Sequence, residues 1–108
     1  MKACVVSRAG GSDVLEFRQM PKPTPEADEG LVRVSACGIN PVDYKIRRDG
    51  YWANLIFPAI LGWDVSGVVE EVGSAVADFK PGDEVFYNAV LDAYYDYWGW
   101  SRPGLVEK

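Results

Sequence analysis

A chain of 108 residues, 48% hydrophobic and 25% charged, has room for one domain with its own core. Its net charge of -5 disfavours a nucleic-acid partner, which asks for a basic footprint. No apolar run approaches the roughly 18 residues that cross a membrane as a helix. The absence of histidine removes the commonest general base and metal ligand.

In chain order, Lys2 to Ser7 is a β-rich run closed by the turn pair Gly10-Gly11. Val14 to Met20 alternates, with Leu15, Phe17 and Gln19 on one face and Glu16 and Arg18 on the other. A proline-rich acidic connector, Pro21 to Gly30, favours an extended surface path. Leu31 to Ile39 is the next strand, with Val32, Val34 and Ala36 sharing a face. Asn40-Pro41 then reads as a helix N-cap followed by proline at the first helical position. Asp43 to Arg48 makes about a turn and a half, closed by Gly50, with Asp43 placed to favour the helix dipole. The basic cluster Lys45, Arg47 and Arg48 reads as a solvated helix face or a local anion site.

Phe57-Pro58 marks another break. Val65 to Val72 is strongly β-forming, and Gly67 inside it suggests a bulge or a barrel corner. Lys80-Pro81-Gly82-Asp83 is a turn in which glycine supplies the positive φ, and Glu84 to Tyr87 begins another strand. Residues 88–108 differ: Tyr94, Tyr95, Tyr97, Trp98 and Trp100 follow no clean period. Short strands, one short helix and regular turns predict a mainly-β barrel with a small helical insertion. Cys4 and Cys37 form neither a metal spacing nor a redox pair. Both fall in strand-like runs and are expected to be buried, reduced thiols of a cytoplasmic protein.

Three segments carry a resemblance. Cys-Gly-Ile-Asn-Pro-Val-Asp-Tyr-Lys-Ile-Arg-Arg (37–48), the run from Phe57 through Gly62-Trp63-Asp64 to Gly73, and Phe-Lys-Pro-Gly-Asp-Glu-Val-Phe (79–86) occur in one order. Together they resemble the N-terminal, GroES-like domain of medium-chain dehydrogenase/reductases of the zinc-independent quinone oxidoreductase type. The resemblance covers residues 1–87, and residues 88–108 are read as a divergent aromatic tail. It implies a barrel forming one wall of a cleft whose other wall is a Rossmann domain binding NADPH. This chain holds no Rossmann domain: Gly62, Gly67 and Gly73 have the wrong spacing and no helix follows them. NADPH is therefore expected in the complete family enzyme and not on this chain alone.

Zinc-dependent relatives carry Cys where this chain has Asn40, and Gly-His-Glu where it has Gly62-Trp63-Asp64. Amide and indole cannot replace thiolate and imidazole, so no zinc is expected. The resemblance makes Asn40 a catalytic and cofactor-facing residue, its amide donating to a carbonyl oxygen as charge develops. A helix cap is the plainer use of the same side chain. Lys45 is the second catalytic candidate, against an ordinary solvated lysine. Tyr44, Trp63, Asp64 and Tyr87 are candidate substrate-binding residues, against plain packing or hydrogen bonding. The expected function is the substrate-side half of an NADPH-dependent quinone or enone reductase, inactive without a Rossmann domain. The alternative is a truncated, non-enzymatic module that binds a protein partner or self-associates through its aromatic tail.

Overall fold

The computed structural model describes residues 1–49 and 57–88 and the backbone of 106–107. The clustered aromatics Tyr94–Trp100 and the helix-closing Gly50 lie outside the described residues. Strands β1 (Lys2–Val6) and β2 (Leu15–Gln19) form an antiparallel hairpin running from Lys2↔Gln19 to Val6↔Leu15. A single 3-10 turn, Ser12–Val14, follows the glycine pair and drives Val14 inward to 2% exposure. A second sheet has the order β3 (Gly30–Cys37), β4 (Asp64–Val72), β5 (Glu84–Asn88) and β6 (Val106–Glu107), every pair antiparallel. The hairpin is bridged to the connection that leads into β4, where Val6 N–H donates to Ala59 C=O at 2.7 Å and Ala59 N–H returns at 3.0 Å. The mainly-β architecture is as expected, and among the described residues the hairpin is not paired to a strand of the second sheet.

The core lies under the second sheet. Val65, Val69, Phe79, Val85 and Tyr87 pack together, with Val32, Val72 and Val76 against them. Alternation decides this: Val65 and Tyr87 are register partners, so their side chains leave the sheet on the same face. Helix α1 (Pro41–Asp49) links two antiparallel neighbours, β3 and β4. It begins at Pro41, the expected first helical position, where proline's fixed φ suits the first turn. Ile46 anchors it at 0% exposure, a burial worth about 2 kcal/mol. Its basic end is not merely solvated: Arg47 donates from Nε to Gly10 C=O (3.3 Å) and accepts the Gly10 N–H at its own carbonyl (2.9 Å).

Two expectations are corrected. Both cysteines are exposed. Cys4 faces the side of the hairpin that bears Phe17, itself 75% exposed, and Cys37 ends β3 beyond the packed core. The third strand also stops at Cys37 and not Ile39, where Gly38 turns to donate its N–H to Asp64 C=O at 2.8 Å.

The turn at Lys80–Asp83 forms as predicted, with φ +96° at Gly82 and Asp83 N–H donating to Lys80 C=O at 3.1 Å. Gly67 lies beside a break in register between Val34 and Ala36. A β-carbon there would sit 2.3 Å from Arg33 O, a backbone atom that cannot step aside. Gly67→Ala is therefore expected to cost about 1–3 kcal/mol, the usual penalty of overpacking. A urea midpoint equal to that of the unsubstituted chain would contradict this crossing.

Candidate functional site

The site is built where three strand ends meet. Asp64 opens β4 and Asn88 closes β5, and the two are register partners. Asn40 follows β3 by three residues, at the entrance of α1. Asn40 Nδ2 donates to Asp64 Oδ2 at 2.7 Å, and Asn88 Nδ2 donates to Asp64 Oδ1 at 2.5 Å. The carboxylate thus has an amide on each oxygen, and these bonds, Asn40's first, hold its pKa below the ordinary carboxylate range.

Asn40 stands at the N-cap position, its carbonyl accepting the Asp43 N–H at 3.0 Å. Its side-chain nitrogen, however, is turned to Asp64. The bond across this helix end comes from Asp43, whose Oδ2 accepts the Asn40 backbone N–H at 2.7 Å, one half of a capping box. Asp43 is only 8% exposed, and its Oδ1 has no hydrogen-bond partner among the described residues. Partial desolvation of Sγ pushes the Cys37 thiol up although the residue is exposed overall, and the carboxylates of Asp43 and Asp64 push it further, so Cys37 is a poor nucleophile.

The other predicted residues divide by burial. Tyr44 is 46% exposed on α1, four residues and so about one helical turn beyond Asn40. Lys45 follows it, half-buried. Trp63 and Tyr87 lie in the interior, at 6% and 5% exposure, and burial raises the Tyr87 phenol well above its usual range. The structure brings Asn40 and Asp64 into contact and joins neither Tyr44 nor Lys45 to the carboxylate. Sequence reasoning missed Asn88. The only signal for it was a polar residue ending a β-rich run, and pairing it with Asp64 needs the hairpin register.

The donor set is poor for a metal. Indole offers no ligand, both oxygens of Asp64 are engaged by amides, and no cluster of three His, Cys, Asp or Glu side chains occurs among the described residues. No described helix is long and apolar enough to cross a membrane.

Comparison with known proteins gives concordant findings. Residues 26–102 match the family described as "Alcohol dehydrogenase GroES-like domain". A quinone oxidoreductase of Lama guanicoe is 41% identical over 109 residues, covering 100% of this chain and 33% of its own. An NADPH-dependent alkenal/one oxidoreductase of Arabidopsis thaliana is 46% identical over 90 residues, 82% of this chain and 23% of its own. The crystal structure of Escherichia coli quinone oxidoreductase complexed with NADPH superposes with a TM-score of 0.76 at 32% identity, covering 83% of this chain and 28% of that one. The chain spans a third or less of the length of these relatives. The family match runs to residue 102, and the alignment with the Lama guanicoe protein covers the whole chain. Within residues 88–108, β6 pairs with β5, at Phe86↔Glu107 and Tyr87↔Val106.

The depressed Asp64 pKa carries a sign. A carboxyl whose folded value lies below its ordinary 3.8 stabilises the fold above that pH and loses the contribution as pH falls through the folded value. The effect is shallow, because the group is exposed and screened. Asp64→Asn is expected to flatten stability against pH from about pH 4 downward. An unchanged acid-side profile would contradict the two-amide clasp.

Proposed function

The chain belongs to the alcohol dehydrogenase GroES-like domain family, with homologues among the quinone oxidoreductases of the medium-chain dehydrogenase/reductases, and from that premise we propose that it forms the substrate wall of a zinc-independent, NADPH-dependent quinone or enone reductase. The observation that carries this reading is the Asn40–Asp64 pair. An amide hydrogen-bonded to a carboxylate occupies the positions that a metal-binding relative gives to ligands. The Nδ2 group has two hydrogens, and Asp64 takes one. The second is available to a substrate carbonyl oxygen, and a donor fixed before the reaction stabilises negative charge as it develops there.

Bound NADPH supplies the hydride in such a reductase. The described residues do not fit its diphosphate: every strand pair is antiparallel, with no strand–glycine turn–helix unit. The first turn of α1 carries the Asp43 carboxylate, which repels an anion. The grip on the cofactor is accordingly assigned to a dinucleotide-binding unit beyond the described residues. Tyr44 is the aromatic with surface to offer a substrate. Trp63 and Tyr87 shape the wall from behind, and Lys45 is a second donor to the carbonyl. Self-association through the aromatic tail is the competing function, and its residues fall outside the described ones.

Two outcomes test the reading. The chain purified without chelators should retain no stoichiometric zinc after dialysis, and elemental analysis showing one zinc per chain would reject zinc independence. Residues 1–88 grafted onto the dinucleotide-binding half of a zinc-free relative should restore quinone or enone reduction. In that chimaera Asn40→Ala should lower kcat about 100-fold, with cofactor affinity little changed. A folded, NADPH-binding chimaera that reduces neither class of compound would refute the proposal.

A further inference from the structure

We propose that Asn88 is a positioning residue that, through Asp64, fixes which way the Asn40 carboxamide faces. A carboxamide is nearly symmetric in shape, so its neighbours decide which end turns to a cleft. An ionised carboxylate accepts hydrogen bonds only. Asp64 therefore selects the nitrogen of Asn40, and the pair forms with Nδ2 at 2.7 Å from Oδ2. Asp64 is exposed, and with one partner it could rotate away and release the amide. Asn88 prevents this by holding the other oxygen at 2.5 Å.

The backbone is set for the same purpose. Asp64 and Asn88 face each other in register, and Tyr87, the residue before Asn88, is paired both to Val65 of β4 and to Val106 of β6. On the other side, Gly38 N–H holds Asp64 C=O at 2.8 Å. A β-carbon on Gly38 would come within 3.0 Å of Asp64 Cβ, so a larger residue would crowd the carboxylate. With both backbones tied, rotation of the carboxylate is the remaining freedom, and Asn88 removes it. The inference rests on the proposed reductase function for what the oriented amide acts on. The orientation itself does not.

The test is a pH titration of the side-chain carboxamide signals of the 108-residue chain by nitrogen-15 NMR. The other titratable groups beside the carboxylate are Cys37, whose thiol is raised and stays protonated at acid pH, and Asp43, which bonds to the Asn40 backbone. The carboxamides of Asn40 and Asn88 are expected to shift together, with one midpoint below 3.8. In Asn88→Ala the midpoint should rise toward 3.8, and the Asn40 carboxamide protons should exchange about tenfold faster. A purely structural Asn88 would disturb backbone signals of β5 and leave the Asn40 carboxamide unmoved. An Asn40 carboxamide that ignores the acid titration in the unsubstituted chain overturns the inference, a reading that needs no variant to fold. So does one unchanged by Asn88→Ala when the backbone spectrum is retained. A graft that fails to reduce quinones while these signals move as stated refutes the proposed function and leaves the positioning intact.

Discussion

One carboxylate, accepting from two amides, holds together the part of this domain where chemistry is placed. Asp64 sits at the first position of β4, and its side chain links Asn40, just beyond the end of β3, to Asn88 at the end of β5. The local backbone is shaped around that meeting point. Gly62 adopts φ +124°, a backbone conformation that favours glycine, and a β-carbon there would also lie 2.5 Å from Cys37 Sγ. A buried and half-satisfied Asp43 closes the helix end that presents Asn40. The result is an amide whose position is set by the sheet and whose orientation is set by electrostatics.

On the proposed reading, the same arrangement distinguishes this site from a zinc site. Zinc needs several soft or imidazole donors converging on one point. Here the corresponding side chains satisfy one another, amide to carboxylate, and the indole of Trp63 turns into the interior at 6% exposure. A donor amide polarises a carbonyl without a metal, which suits reduction of a conjugated carbonyl or quinone. Several apolar side chains are exposed among the described residues. Phe17, Val34, Ile39 and Phe86 are each more than half exposed.

Much of the fold was legible in the sequence, for physical reasons. Val65–Val72 alternates as a half-buried strand must, Lys80–Asp83 carries proline and glycine where such a turn needs them, and Asn40-Pro41 marks a helix start. The site was half legible: Asn40 and Asp64 stood out as replacements for ligands. Asn88 did not, because its role depends on a register that links residues 24 apart. The cysteines were misjudged because a β-rich run does not say which face is covered. Pairing between strands distant in sequence was not legible, because no local pattern encodes it; among the described residues the hairpin and the second sheet form separate sheets.

We propose that Asp64 acts on chemistry through Asn40 and not independently. A double-mutant cycle on kcat in the grafted reductase tests it most directly, using Asn40→Ala, Asp64→Asn and their combination. The hub arrangement predicts that the double variant is no slower than Asn40→Ala alone, since the carboxylate has nothing left to orient. Rate losses that multiply, as for two independent residues, would contradict it.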